Sequence, residues 1–150
     1  MKKILQVILL FICFLSFKAQ TNEDLIGKWQ GVDSTKNIWS ITFSKDNFIS
    51  FSINGEFIDG KNFKIHGGSN DGKFGQVIYK VDFKSNPIKI NLIAKFKKGD
   101  LIIEKGILKG FLKFVNKNEI LILLDFENKN YTNFTEENKN DTARLIRSEE

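Results

Sequence analysis

From Trp39 onward the chain alternates apolar and polar positions. Trp39, Ile41 and Phe43 are interleaved with Ser40, Thr42 and Ser44, so an extended segment here has one apolar and one wet face. Lys45-Asp46-Asn47 supplies turn chemistry. Ile49, Phe51 and Ile53 then alternate with Ser50 and Ser52 up to Asn54-Gly55, the dipeptide that favours a tight hairpin. The same period returns in Val77, Tyr79, Val81 and Phe83, and again in Ile88, Ile90, Leu92, Ala94 and Phe96, with Pro87 in the turn between them.

The remaining segments extend the pattern. Glu56 to Asp59 and Asn62 to His66 form short strands around Gly60. Leu101 to Glu104, Ile107 to Val115 and Glu119 to Phe126 read as further strands, and Thr142 to Arg147 closes the sheet. Residues 67–72 and 128–140 have no periodicity and are expected to be loops. Ahead of these lies Gly27 to Val32, an opening strand with Trp29 large enough to plug one end of a β-structure. Thr21 to Ile26 is expected to form one helical turn, capped by Thr21 or Asn22, with Glu23 and Asp24 at its positive end and Gly27 stopping it. About nine or ten short strands without a long amphipathic helix point to an all-β antiparallel barrel or sandwich, and an up-and-down meander is the simpler arrangement. Closure hides the edges that so many apolar strands otherwise expose.

The first residues are different in kind. Lys2 and Lys3 precede an apolar run from Ile4 to Phe17 that ends in Lys18-Ala19-Gln20, the layout of a signal peptide with cleavage after Ala19. The run is shorter than the roughly 20 residues that cross a bilayer as a helix, so no stable membrane insertion is expected after cleavage. Residues 1–19 are therefore assigned as a leader and 20–150 as one domain, exported to the periplasm or the exterior. Cys13 follows Ile12 inside the apolar run, not a small residue at its end, so it is read as part of the leader and not as a lipid anchor.

Removing the leader changes the composition in two ways. It takes Lys2, Lys3 and Lys18 out of a total of 23 Lys and Arg against 18 Asp and Glu, so most of the formal net charge of +5 disappears. A nearly neutral chain without a clustered basic face gives no reason to propose a nucleic-acid partner. It also removes the single Cys, so neither a disulfide nor a thiol nucleophile is available, and packing must hold the fold.

Gly27-Lys28-Trp29, after a short helical turn, resembles the opening of the lipocalin superfamily, whose first strand begins Gly-x-Trp. In that superfamily a late Arg packs across the Trp, which implies the role for Arg144 or Arg147 here, with cation–π attraction as the physical reason. Tyr79-Lys80-Val81-Asp82, Pro87, Ile90, Lys105-Gly106-Ile107 and Asn133-Phe134 are similar to a group of small bacterial secreted lipocalin-like domains of uncharacterised function. The chain departs from that group at Asn91, where an acidic residue is usual, and at Asn130-Tyr131, where Arg-Pro is usual. The resemblance implies an antiparallel up-and-down lipocalin-like barrel of about eight to ten strands, with Gly27, Trp29, Arg144 and Arg147 as its signature.

Catalytic chemistry finds little support. His66 is the sole histidine and has no carboxylate partner in sequence, so a strand-end histidine is favoured over a general base. The 67–72 loop lacks the Lys-Ser/Thr of a phosphate cradle, and Ser69 lacks a nucleophile-elbow setting. Asp82, Glu104 and Asp125 lie on or beside strands, where a surface-facing position is favoured over an acid–base pair. No spacing fits a metal site, and no cofactor is expected. Asn130, Asn133 and Asn140 begin Asn-x-Thr sequons, without expectation of modification behind a bacterial-type leader.

Twelve of the fifteen Phe follow the leader, and with two Trp and two Tyr they either line an apolar pocket or pack it solid. The leading expectation is a non-enzymatic exported barrel binding a small hydrophobic molecule or a partner, with Trp39, Phe51, Tyr79 and Phe96 as candidate interior ligand contacts. The alternative is a solid-cored structural or interaction module of the cell envelope, meeting an envelope protein through its loops. N-terminal sequencing of the protein from the exported fraction is expected to start at Gln20; an intact Met1 would overturn the leader assignment.

Overall fold

The computed structural model describes residues 19–34, 36–66 and 71–148. Residues 1–18 of the expected leader, Cys13 among them, and residues 67–70 of the Gly-rich loop lie outside the described residues. The chain opens with α1 (Asn22–Leu25), a single turn closed by a capping box in which Thr21 and Asp24 exchange hydrogen bonds. Gly27 then adopts φ +126°, a conformation that an L side chain rarely takes, and this redirects the chain into the first strand.

Ten strands follow: β1 (Gly27–Val32), β2 (Ile38–Phe43), β3 (Ile49–Ile53), β4 (Glu56–Ile58), β5 (Phe63–Lys64), β6 (Phe74–Asp82), β7 (Ile88–Lys98), β8 (Leu101–Asn116), β9 (Glu119–Leu124) and β10 (Thr142–Arg147). A 3₁₀ turn, Lys139–Asp141, leads into β10. The strands form one antiparallel sheet in the order β4-β3-β2-β1-β10-β9-β8-β7-β6-β5, so the first and last strands, β1 and β10, pair inside it. The chain is thus an all-β, nearly closed antiparallel barrel with one short helix, as the alternation predicts.

The two ends of the sheet approach each other between β3 and β6. Phe48 bridges Ile78, and the Tyr79 amide donates to the Asn47 carbonyl at 3.0 Å. Above this contact Gly60 spans the gap: its N–H donates to Ser50 Oγ at 3.0 Å, and its carbonyl accepts from the Val77 amide at 2.7 Å. A Cβ at Gly60 would fall 2.1 Å from the Ile49 carbonyl oxygen, so only glycine lets the backbone pass this close.

Alternation places the core where the pattern puts it. Trp29, Ile41, Phe43, Ile90, Leu112 and Leu145 point into the barrel and are fully buried or nearly so. Asn54 and Gly55 both take positive φ, the backbone of the expected tight hairpin turn.

Several boundaries differ from expectation: the Asn62 to His66 strand shortens to Phe63–Lys64, β6 spans Phe74–Asp82 and β7 runs on to Lys98. Residues 101–104 and 107–115 belong to one continuous strand, β8, because a bulge opposite Leu92 and Ile93 absorbs Ile107 instead of breaking the ladder. Beside this bulge β9 stops at Leu124, opposite Gly110, and does not reach Phe126. The Asp125 carboxylate accepts the amides of Lys129 and Asn130, both at 2.8 Å, and this turns the chain.

The end of the barrel nearest α1 is sealed. Trp29 is fully buried, and its indole N–H donates to the Leu25 carbonyl at 2.8 Å. Arg147, directly opposite Trp29 on β10, lays its guanidinium 4.1 Å from the ring centroid. The same guanidinium donates to the carbonyls of Ile26 at 2.6 Å and Asp24 at 2.5 Å, tying α1 to the last strand. Phe114 meets the indole edge-on at 6.4 Å. Arg144 has a different job: it pairs with the largely buried Glu119 on β9. Replacing Arg147 by Leu removes the stacked cation and strands the α1 carbonyls, so a loss of about 2–4 kcal/mol is expected. Urea unfolding followed by tryptophan emission measures it, and an unchanged midpoint would contradict this role.

Candidate functional site

Strand direction sorts the expected interior residues into different levels of the barrel. β1 begins at the sealed end and β2 returns to it, so Trp39, opposite Gly31, sits near the far end, while Phe43, opposite Gly27, sits at the sealed one. Tyr79 lies with Phe43, ring on ring at 5.0 Å, and its hydroxyl donates to the Ser44 carbonyl at 3.1 Å. Burial pushes the Tyr79 phenol above its ordinary pKa. Phe51 is half-buried on β3, packed against the core. Phe96 lies high on β7, bordering a hollow of about 270 Å³ with Lys61, Phe74 and Ile102. The four aromatics therefore do not surround one cavity.

Trp39 alone among them lines the cavity at the end opposite Trp29. This cavity measures about 310 Å³, and its apolar wall is Trp39, Ile53, Leu124 and Phe126. Trp39 and Phe126 are tilted rings 6.0 Å apart. The polar rim comes from the connection after β1 and from the long connection between β9 and β10, which carry Asp33, Asn37, Lys129, Tyr131 and Asp141. Barrel mouths that combine an apolar wall with a few fixed polar groups are common small-molecule sites.

Each rim group is held in place. Asp33 accepts from the Asn37 amide at 2.9 Å, the Asn37 side chain at 2.8 Å and the Trp39 indole N–H at 3.1 Å, so one carboxylate fixes both the turn and the ring. Asp141 accepts from the Tyr131 hydroxyl in a short contact and from Lys129 Nζ at 3.1 Å. Lys129 also reaches Glu127 at 3.0 Å. The Tyr131 hydroxyl and then Lys129 hold the Asp141 carboxyl below the usual carboxylate range. Burial, then Asp141, pushes the Tyr131 phenol up, and Glu127 and Asp141 raise the Lys129 ammonium.

The rim rests on a built loop. Asn138 is buried, accepts the Thr135 amide at 2.9 Å and donates to the Asn133 carbonyl at 2.8 Å. Phe134 packs edge-on against Phe111 of β8, pinning the connection to the outer wall. Two asparagines of this stretch thus have structural work, and residues 128–140 form an ordered rim. Of the mouth residues only Trp39 is expected from the sequence as a ligand contact, while Lys129, Tyr131 and Asn140 lie in the 128–140 loop expected to meet a partner. Tyr131 and Asp141 lie in a stretch without periodicity; the one available signal was Asp33, four residues before Asn37, a spacing that suits a side-chain-closed turn.

The residues weighed for catalysis are dispersed. Glu104 pairs with Lys80 at 3.1 Å, Asp82 accepts the Lys84 amide at 3.0 Å, and Asp125 closes its own turn. His66 is exposed beyond β5. Among the described residues no group of three or more His, Cys, Asp or Glu is placed to hold a metal ion, and no helix is long and apolar enough to cross a membrane. Comparison of the chain with protein families, with curated proteins and with solved structures returns no match.

The rim makes a pH prediction with a definite sign. Because the folded pKa of Asp141 is depressed, its contribution to stability is complete above the ordinary aspartate pKa and is lost as pH falls through the lowered value. Replacing Tyr131 by Phe is expected to move the Asp141 midpoint upward in a carboxylate NMR titration. An unmoved midpoint would show that the hydroxyl does not hold the carboxylate.

Proposed function

We propose that the protein is an exported, non-enzymatic lipocalin-like carrier that takes a small, largely apolar molecule into the barrel mouth. The observation that carries this reading is the asymmetry of the two ends. Trp29, Phe114 and Arg147 seal one end, whereas Trp39, Ile53, Leu124 and Phe126 line an open cavity at the other. An interior of about eight strands is wide enough for one small ligand above a packed floor. At about 310 Å³ the cavity lies at the lower end of the roughly 300–1,000 Å³ of small-molecule sites, which fits a compact ligand.

The lipocalin-like part of the proposal rests on Gly27-Lys28-Trp29 after a helical turn and on the arginine of the last strand stacked over that tryptophan. Export rests on the leader-like residues 1–19 and places the ligand in the periplasm or outside the cell. Asp33 and Tyr131 are set to orient a polar end of the ligand at the rim, while the ring of Trp39 takes its apolar body.

Titration with the neutral apolar dye N-phenyl-1-naphthylamine tests the reading. Saturable dye fluorescence with quenching of tryptophan emission is expected. Replacing Trp39 by Leu is expected to weaken binding about tenfold, the loss of one well-packed aromatic contact, while replacing Phe96 by Ala leaves it unchanged. Absence of saturation, or equal binding by the Trp39 variant, would remove the mouth as the site.

A further inference from the structure

β8 is longer than the strand that covers it. Its residues 110–112 pair with both β7 and β9 and residues 113–116 with β9, but residues 101–108 have only β7 beside them, because β9 ends opposite Gly110. The Asp125 amide donates to the Lys109 carbonyl at 2.9 Å, and this marks the end of coverage. Beyond it the outer edge of β8 is open to solvent. At Gly106 even an added Cβ would meet nothing within 4 Å.

This open edge is apolar to an unusual degree. Leu101 is 68 % exposed, Ile102 59 % and Ile107 46 %. Exposed strand edges are normally protected by charge, and lysines are abundant here: Lys95, Lys97 and Lys98 on β7, Lys105 and Lys109 on β8. Among the described residues no ion pair engages any of these five. The carboxylates on this blade are Asp100 and Glu104, and Glu104 is already paired with Lys80.

Lysines alone would explain an edge kept from pairing. They do not explain three large aliphatic side chains left in water beside it, and an edge guarded by one sign of charge admits the opposite sign. We propose that residues 101–108 of β8 form a docking edge for an extended acidic segment of a partner protein, which adds as a further strand. Main-chain hydrogen bonds supply the pairing, Leu101, Ile102 and Ile107 receive the partner's apolar side chains, and the five lysines select its acidic ones. A second copy of this chain is disfavoured as the occupant because it would bring the same lysines to the same edge. The edge and the mouth cavity share no residue, so this inference stands independently of the small-molecule reading.

The test uses the mature protein and a labelled peptide of alternating Glu and Val, as long as the edge, read by fluorescence anisotropy. Saturable binding is expected. It should weaken about tenfold in the Lys105→Glu, Lys109→Glu double variant, and also as salt rises. The Ile102→Thr variant should bind more weakly, and N-methylation of alternate peptide amides should abolish binding. Unchanged near-ultraviolet circular dichroism of Trp29 and Trp39 confirms that each variant is folded. No saturation at low salt, equal binding of a Lys and Val peptide, or equal binding of the N-methylated peptide would each overturn the proposal. Light scattering provides the remaining outcome: a dimer that Ile102→Lys dissolves would make a second copy the occupant and overturn the acidic partner.

Discussion

The placement of one guanidinium organises this domain. Arg147 lies across Trp29 while its N–H groups reach the carbonyls of Ile26 and Asp24. A cation held between a π face and carbonyl oxygens keeps its hydrogen bonds while shielding the ring, so the last strand, the first strand and α1 are joined at one point. Gly27 makes the point available, because a Cβ there would stand 2.8 Å from a guanidinium nitrogen of Arg147. The pairing of β1 with β10 joins the first and last strands of the sheet in chain order, and Arg147 locks it.

With that end sealed, the properties of the barrel grade along its axis. At the floor the side chains interdigitate: Trp29, Phe43 and Tyr79 are all buried and meet other rings edge-on. Toward the mouth Phe51 and Ile53 are only partly covered, and the cavity beside Trp39 opens. The polar groups of the mouth are already engaged, Asp33 with Asn37 and Trp39, and Asp141 with Tyr131 and Lys129. A rim fixed in this way loses little conformational entropy when a ligand arrives, which is what a preorganised binding site needs.

The upper part of β7 and β8 follows a different logic. A bulge at Ile107 lets the hairpin run past the last residue of β9, so the blade gains length without a further neighbour. An extended pair with one edge open keeps its own ladder intact and still presents unpaired backbone groups. The open edge is therefore a surface created by a difference in strand length.

Much of this was legible in the linear chain. The period of two from Trp39 to Phe96 determined the strands and their inward faces, because side chains alternate across a pleated strand whatever the neighbouring strand is. Asn54-Gly55 determined a turn, and Gly27-Lys28-Trp29 pointed to the plugged end. The same reasoning could not choose between Arg144 and Arg147: both lie on β10, and only the register with β1 sets Arg147 opposite Trp29 and leaves Arg144 to Glu119. Nor could it gather the mouth, where Asp33, Trp39, Phe126, Tyr131 and Asp141 come from distant segments, two of them without periodicity. Alternation states which face of a strand is buried; the level of a side chain along the barrel, and what it meets there, is decided by strand register and by loops packed through long-range contacts.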